Sequence, residues 1–302
     1  MRTSAEFPPI RPVTFTLGRH DGERIPGSVL DVSTFADLVD RHGRQEFVGP
    51  QRLDFSLLLF VSSGYTTHWV DFVEYPLTSG DVLWVRAGQV QQWGAISDIV
   101  GDVVCFSPEI VPENIRSVVR HRARNKVHWP RITHLHLEIA AGIDFIRALA
   151  AGLRAEEASG ARTMAISAAL TAMLISLTNL YSSTISAPLV WRLAEFESFL
   201  DLIDGHLGVA LTAQDAAHAL NLSAKTLERI CRLHSGVSAK KLIDEQVLIE
   251  AKRLLAYTTL PVAAVGRRLG RPDPAVFSRY FSRLTGFTPG EFRRQHTTSQ
   301  FT

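Results

Sequence analysis

Cysteine, methionine and long apolar runs are all scarce in this chain of 302 residues, which has 2 cysteines and 3 methionines. Cys105 and Cys231 are too few for a disulfide framework or a cysteine-based metal cluster, so we expect a reducing, cytoplasmic compartment. The most apolar stretches, Phe55–Val61 and Met164–Leu177, fall short of the roughly 18 residues that a membrane span needs. No apolar signal-peptide core is visible at the beginning of the chain, so no membrane partner is expected.

A strong excess of either charge sign is also missing, since 32 basic and 30 acidic side chains give a net charge of +2. The distribution is uneven, however, because residues 1–189 sum to −2 and residues 190–302 to +4. Within 223–294 there are 14 basic and 6 acidic residues. This asymmetry predicts a polyanionic partner for the C-terminal part. The hydrophobic share of 46% excludes a disordered chain and is typical of a globular protein with about two domains.

Residues 1–110 have the rhythm of short strands, because apolar runs are separated by turn signals at nearly even spacing. The breakers are Ser62-Ser63-Gly64, Ser79-Gly80-Asp81, Ala87-Gly88 and Ser107-Pro108. This pattern predicts a small antiparallel barrel or sandwich.

Two helices are predicted after this region, over residues 134–159 and 161–182, with Gly160 as the stop between them. The second is apolar almost all round, so we expect it to be buried or to contact a partner chain. Before them, Arg116–Arg131 holds six basic residues and no acidic one. We interpret that run as a solvated loop or edge strand, with contact to DNA phosphates or to an acidic partner as the alternatives.

Residues 211–242 and 260–292 resemble each other at an offset of 49 to 50 positions, and each predicts a helix, a tight turn and a second helix. In the first unit Thr212 and Ser223 are the predicted N-caps, and Asn221 tolerates the turn. In the second unit Gly270 supplies the turn and Asp273 caps the next helix. Such pairs are typical of helix-turn-helix DNA readers, whose second helix lies in the major groove.

The second helix of each unit has an apolar stripe and a polar outer face, and the outer face predicts the contacts with double-stranded operator DNA. Arg229 and Arg279 are the expected base readers, since arginine pairs bidentately with guanine, whereas Arg232 and Arg283 are expected at phosphates. The predicted DNA-facing side chains are Lys225, Thr226, Glu228, Arg229 and Arg232 in the first unit and Ala275, Ser278, Arg279 and Arg283 in the second. Between the units, residues 239–257 predict one rigid amphipathic helix. Two readers in successive grooves need about 34 Å between them.

The segments LSAKTLERICRLHSGVSAKKLI, EAKRLL and DPAVFSRYFSRLTGFTPGEFRR resemble the AraC/XylS-type transcriptional regulators over about a hundred residues. Two positions depart from the family pattern, with Arg271 in place of an aromatic residue and Gly266 in place of alanine. The N-terminal half is similar to the cupin-like effector domain of the same family. The resemblance implies a transcriptional activator that binds a small-molecule effector, forms a homodimer through its middle helices and contacts RNA polymerase. No cofactor is implied.

The predicted fold class is therefore α+β and multidomain. It comprises a cupin-like antiparallel β-barrel over residues 1–110, a helical connector and dimerisation region over 111–188, and an all-α double helix-turn-helix domain over 189–302. The effector pocket is predicted to involve His68, Trp84, Gln92 and Trp93, because aromatic side chains in a sensor barrel line pockets for apolar ligands.

The alternative is a metal-dependent cupin enzyme with a DNA-targeting tail. A transition-metal site needs several converging His and carboxylate ligands. The barrel region offers His68 and Glu74, which are too few, so we expect no metal and no enzymatic activity. Cys231 is interpreted as a small core residue.

Overall fold

The computed structural model describes residues 30–47, 49–96, 99–113, 115–116, 119, 127–130, 136–151, 160–179, 191–208 and 210–297, together with residues 19–20 and 23–24. The chain forms two compact units, one within residues 10–183 and the other built on residues 184–302. The first is a β-sheet covered by helices and the second is all helical, so the predicted fold class is confirmed.

The N-terminal unit contains ten strands and three α-helices among its described residues. The strands are β1 Arg19–His20, β2 Glu23–Arg24, β3 Leu30–Thr34, β4 Gln51–Arg52, β5 Ser56–Val70, β6 Val73–Thr78, β7 Val82–Val85, β8 Val90–Trp93, β9 Ile99–Phe106 and β10 His128–Trp129. The helices are α1 Phe35–His42, α2 His136–Ala151 and α3 Gly160–Asn179, with short 3-10 helices at Arg44–Phe47 and Pro108–Ile110.

The long strand β5 organises the sheet, and all pairings are antiparallel. Its first half pairs with β7 and β9, and its second half pairs with β6 and β8. Strand β3 extends the sheet beside β9, β10 extends it beside β7, and β4 extends it beside β8. A bulge between Val61 and Ser63 marks the change of partner. Gly101 of β9 permits the close approach of the β5 backbone there, because a Cβ at this position would lie 2.0 Å from the Phe60 carbonyl oxygen.

Both faces of the first half of β5 are buried. Leu57 and Leu59 belong to the core that the two halves of the sheet enclose, which we call the interior core. Leu58 and Phe60 face the other way, into a second core that α2 and α3 cover, which we call the helix-covered core. The helices predicted as a connector thus pack directly on the sheet. This double burial explains why the apolar run Phe55–Val61 shows no alternation.

Helix α3 begins at Gly160, so the prediction that this glycine ends a helix was wrong. Ile166 and Leu170 of α3 are buried against the sheet, whereas Met164 is 73% exposed. The helix is long and apolar enough to cross a membrane by length and composition alone, although buried core helices pass the same test.

The C-terminal unit consists of seven helices in the part of the chain that is described. These are α4 Leu193–Gly205, α5 Ala213–Ala219, α6 Ala224–Ser235, α7 Ala239–Tyr257, α8 Val262–Arg268, α9 Pro274–Thr285 and α10 Pro289–Thr297. Helix α7 coincides with the predicted long helix and packs against helices on both of its sides, including α6 and α8. Its 19 residues span about 28 Å at 1.5 Å per residue.

Candidate nucleic-acid interface and sheet interior

The first helix-turn-helix unit, α5 and α6, is built by local capping. The Thr212 hydroxyl accepts a hydrogen bond from the Asp215 N–H, and the Asp215 carboxylate accepts one from the Thr212 N–H in return. Asn221 adopts a left-handed φ of 54° in the turn, and the Ser223 hydroxyl caps α6 by accepting from the Thr226 N–H. These predicted caps and the predicted turn are confirmed, because they depend on local chemistry alone.

The second unit, α8 and α9, repeats this plan with different residues. Gly270 forms the turn with φ 69°, and Gly286 ends α9 with φ 79°. The Asp273 carboxylate accepts hydrogen bonds from the N–H groups of Ala275 and Val276 at 2.8 and 2.9 Å. Pro274 occupies the first position of α9, where its missing N–H does no harm.

Gly266 lies where the two helices of the second unit touch. A Cβ at this position would lie 2.8 Å from the Arg271 carbonyl oxygen and 3.1 Å from Phe277 Cγ. The backbone therefore approaches more closely than an alanine permits, which explains the departure from the family's usual residue. Its counterpart in the first unit, Ala217, is also buried.

Arg271 explains the second departure. Its guanidinium carbon lies 3.9 Å from the ring centroid of Tyr280 on α9, and an Nη atom lies 3.7 Å from an Asp244 carboxylate oxygen on α7. The Tyr280 hydroxyl donates to the Asp244 carbonyl oxygen at 3.1 Å, and burial raises the Tyr280 pKa to about 12. A stacked arginine thus occupies the site of the usual aromatic residue and fastens the second unit to α7.

The outer face of α6 carries charge. Leu227, Ile230 and Cys231 are buried, as predicted. The predicted DNA-facing residues Lys225, Arg229 and Arg232 are exposed, and Thr226 and Glu228 are partly exposed.

Glu228 is engaged inside the unit. One carboxylate oxygen accepts from Arg232 Nε at 2.7 Å, and the other accepts from the Ala239 N–H at 3.1 Å. The side chain therefore ties the first turn of α7 to α6. A negative charge in that turn is also favourable for the helix dipole.

Arg229 stacks on an aromatic ring from outside the repeat. Its guanidinium carbon lies over the Trp191 ring, 4.2 Å from the centroid. The Trp191 carbonyl oxygen lies 2.9 Å from His234 Nε2 at the end of α6. Sequence reasoning missed Trp191, because it lies about forty positions before Arg229 and only the packing of α4 on α6 brings the two together.

The outer face of α9 is different in character. Phe277 and Phe281 are buried. Arg279 and Arg283 are exposed and Ser278 is partly exposed, but the exposed residues of the first turn are Pro274, Ala275 and Val276. Val276 is 47% exposed, and the sequence analysis did not single it out.

Three carboxylates of the C-terminal unit are held in the charged form by capping. Hydrogen bonds from Thr212 lower the pKa of Asp215, and those from the Val276 and Ala275 N–H groups lower that of Asp273. The Thr288 N–H and hydroxyl lower the pKa of Glu291 in the same way. All three groups lie at the beginnings of helices, where negative charge is favourable.

In the N-terminal unit, His68 of β5 points into the interior core. It is 1% exposed, and its ring contacts the Trp93 ring edge-on at 4.9 Å between centroids. Neither ring nitrogen has a hydrogen-bond partner of normal geometry among the described residues. Burial lowers the pKa of His68 to about 3, and the nearby Gln91 side chain offsets only part of this effect. The ring is therefore neutral at pH 7.

A buried amide pair and a small cavity accompany this histidine. Gln91 Nε2 donates to Gln51 Oε1 at 2.6 Å, while Gln91 Oε1 has no partner in the described structure. Both glutamines line the cavity together with Trp93 and Cys105. This cavity has room for about one water molecule, so it does not hold a larger molecule in this conformation.

Two of the four predicted pocket residues lie elsewhere. Trp84 packs against Phe106 and Trp129 in the helix-covered core, not in the interior core. Gln92 lies between Gln91 and Trp93 on β8, so strand alternation turns it to the opposite face. The structure therefore brings His68 and Trp93 together and places Trp84 and Gln92 on other faces of the sheet. On β8 it is Gln91 that lines the interior cavity, since neighbouring strand residues point to opposite faces.

His68 and Glu74, the two ligands considered for a metal, also face opposite ways. His68 is paired with Tyr75 across β5 and β6, while Glu74 is paired with Trp69 and is exposed. Among the described residues, no group of three His, Cys, Asp or Glu side chains converges on a metal-sized site. Most of the basic run Arg116–Arg131 lies outside the described residues; within it, Arg116 forms an ion pair with Glu113.

Comparison with known protein families gives two matches. The model described as an AraC-like ligand binding domain matches residues 37–174, and a helix-turn-helix domain model matches residues 216–295. Together the two matches cover more than half of the chain. They coincide with the sheet and its covering helices and with the duplicated helix pairs.

Individual relatives agree. The arabinose operon regulatory protein of Salmonella typhimurium (strain LT2) is 38% identical over 92 residues, which is 30% of this chain and 31% of that protein. The match thus spans about a third of the length of the arabinose regulator. The HTH-type transcriptional activator RhaR of Enterobacter sp. (strain 638) is 22% identical over 257 residues, covering 80% of this chain and 86% of its own.

Among solved structures, ToxT from Vibrio cholerae O395 matches with a TM-score of 0.40 and 15% identity, over 89% of this chain and 98% of that chain. The C-terminal domain of AraT, a response regulator from Geobacillus stearothermophilus, matches 40% of this chain with 26% identity and a TM-score of 0.34. With a ligand-domain match at 37–174 and a helix-turn-helix match at 216–295, this chain belongs to the AraC/XylS-type family of transcriptional regulators.

Proposed function

We propose that this protein is a sequence-specific, DNA-binding transcriptional regulator of the activator type, which works in the cytoplasm and responds to a small-molecule effector. The observation that carries the proposal is the duplicated helix-turn-helix pair, in which both second helices have side-chain caps and both units are fixed to one long helix in the basic part of the chain. A basic surface that only contacts solvent does not require two helix-turn-helix units. A protein that reads two successive major grooves of DNA does require them.

The roles of the exposed side chains follow from their chemistry. Arg229 and Arg279 read base edges, because a guanidinium pairs bidentately with guanine. Arg232 and Arg283 bind phosphates and fix the register. The other contacts on the two faces come from Lys225, Thr226, Ala275 and Ser278. Glu228 acts indirectly, since both of its carboxylate oxygens are engaged within the unit.

Selection of bound sequences from random duplex DNA tests this proposal. We expect a site with two half-sites about one helical turn apart, bound with an affinity that falls steeply with salt. Arg229→Ala and Arg279→Ala should each lose about 1–3 kcal/mol of discrimination at one position. Arg52→Ala, which removes one exposed charge from the N-terminal unit, is the matched control. Unchanged sequence discrimination in both arginine variants would contradict the assigned roles.

The effector is proposed to enter the interior core near His68 and Gln91, whose ring nitrogens and Oε1 atom have no hydrogen-bond partner among the described residues. Because the cavity beside Gln91 has room for only about one water molecule, a larger effector must stabilise a more open arrangement to bind there. Calorimetry of the full chain against a ligand panel, with and without operator DNA, tests the coupling. Equal affinity in both conditions would rule out regulation by this route.

The proposal includes a homodimer that forms through the middle helices, α2 and α3. It also includes RNA polymerase as a further partner, as expected for an activator. Leu137 and Phe145 of α2 are 81% and 56% exposed, and Met164 of α3 is 73% exposed. These exposed apolar side chains lie on the helices that we propose to form the interface, where they would be buried. Sedimentation equilibrium tests the dimer by comparing the wild type with the double variant Leu137→Lys, Phe145→Lys. We expect a dimeric wild type and a monomeric variant, and a monomeric wild type would contradict the proposal.

A further inference from the structure

The first turns of the two recognition helices, α6 and α9, offer opposite chemistry to DNA. The repeat aligns Leu227 with Phe277 and Arg229 with Arg279. The same alignment sets Lys225 against Ala275 and Thr226 against Val276. One unit thus carries an ammonium and a hydroxyl at the two places where the other carries only methyl groups.

No side chain in the first turn of α9 is available to donate a hydrogen bond. Residues 272–276 are Pro, Asp, Pro, Ala and Val, all of them exposed. The carboxylate of Asp273 is taken up by the N–H groups of Ala275 and Val276. The nearby Arg271 is stacked on Tyr280 and directed toward Asp244, away from the outer face.

The exposed position of Val276 is not explained by packing. The side chain is 47% exposed, while Phe277 beside it is fully buried. Val276 lies one turn before Arg279 on the same flank of α9, since residues three apart are neighbours on a helix surface. Any base pair that meets Val276 is therefore next to the one that Arg279 contacts.

Only one base-edge group in the major groove is apolar, namely the C5-methyl group of thymine. We propose that Val276, with Ala275, reads thymine methyl groups in the half-site bound by α9, so that this half-site is specified by methyl contact and the α6 half-site by hydrogen bonds. The inference rests on the proposed DNA-binding function and adds the chemical class of its second half-site.

Replacing thymidine by deoxyuridine removes the methyl group and leaves base pairing unchanged, so it tests the inference without altering the protein. In the selected operator, each thymidine of the α9 half-site is replaced singly, and binding of the full chain is titrated. The α9 half-site is identified as the one whose discrimination Arg279→Ala relaxes. We expect about a fourfold loss of affinity for each contacted methyl group, from the transfer free energy of one buried carbon.

Val276→Ser removes both methyl groups of the side chain, and the exposure of this position makes the change compatible with folding. It should abolish the thymidine preference at one position, whereas Thr226→Ser, which removes a methyl group at the equivalent position of α6, should leave that preference intact. Circular dichroism confirms that both variants are folded.

The outcomes separate the two claims. Two results would overturn thymine reading by Val276 and leave the proposed function standing. One is sequence-selective binding that does not change when any thymidine of the α9 half-site is replaced by deoxyuridine. The other is a selected α9 half-site that contains no thymine. Absence of any sequence-selective binding overturns the proposed function itself and the inference with it.

Discussion

The guanidinium carbon of Arg229 lies 4.2 Å from the centroid of the Trp191 ring, although Trp191 belongs to neither helix-turn-helix unit. Stacking on the face of an aromatic ring leaves the in-plane N–H groups of arginine free to donate hydrogen bonds. The contact therefore restricts the side chain without blocking its donor edge. If Arg229 reads a base edge as proposed, Trp191 is the residue that positions it.

Removing the Trp191 ring should weaken specific DNA binding, because the Arg229 side chain is then no longer held in place before DNA binds. We expect Trp191→Ala to lower operator affinity about two- to fivefold, matching the roughly 0.5–1 kcal/mol of an exposed cation–π contact. Fluorescence anisotropy titrations measure the effect. In an Arg229→Ala background the same change should have no further effect, and equal losses in both backgrounds would refute the coupling.

The close helix contact at Gly266 predicts a loss of stability on adding one methyl group. In Gly266→Ala the new Cβ meets backbone and ring atoms at 2.8 and 3.1 Å, so the helices must move apart. We expect the free energy of unfolding to fall by about 1–3 kcal/mol. Urea unfolding followed by circular dichroism measures it. Gly205→Ala is the matched control, since a Cβ there meets nothing within 4 Å.

The buried neutral ring of His68 predicts acid sensitivity of the N-terminal unit. Its folded-state pKa of about 3 lies below the ordinary 6.5, so the unfolded chain binds a proton more readily as the pH falls between these values. The free energy of unfolding should fall by about 1.4 kcal/mol for each pH unit in that window and be fully retained above 6.5. Tryptophan fluorescence in urea, measured in a Trp191→Phe background, reports this unit, which then holds all four remaining tryptophans.

His68→Leu should flatten this pH dependence, because no titrating group then remains at the site. Substitution of the exposed His218 by Gln in the C-terminal unit provides the control, which should keep the wild-type slope. A wild-type stability that is constant between pH 7 and 4 would show that the ring is hydrated or paired in solution.

The capping carboxylates predict a second acid-induced loss of stability, at lower pH, in the C-terminal unit. The pKa values of Asp215, Asp273 and Glu291 are lowered from 3.8, 3.8 and 4.5, so their contribution to stability is present above these values and is lost as the pH falls below them. Circular dichroism between pH 5 and 2 follows the loss of helix. The triple variant Asp215→Asn, Asp273→Asn, Glu291→Gln should lose helix less steeply over the same pH range.

Sequence reasoning succeeded where local chemistry decides the structure. The beginnings of α5 and α6 follow from the hydroxyl caps of Thr212 and Ser223, and each of these interactions lies within a few residues. It could not show which face of the sheet Trp84 and Gln92 occupy, because the strands of this sheet are buried on both faces. All four residues of β7 are buried, so hydrophobicity does not reveal which face Trp84 occupies. Trp191 could not be found at all, since its contact is long-range.

Helix α7 has an implication for how target sites are arranged. Val247, Ala251 and Leu255 are buried along it. Its first turns are fastened by Glu228 and by the contacts of Arg271 and Tyr280 with Asp244. Its last turn is fastened by Arg293 Nε, which donates to the Leu255 carbonyl oxygen. A protein spacer that does not stretch imposes a fixed torsional phase on its target. Each base pair inserted between the half-sites rotates one of them by about 35° relative to the other. This regulator should therefore be as intolerant of altered spacing as of altered bases, and its genomic sites should be recognisable by their phasing.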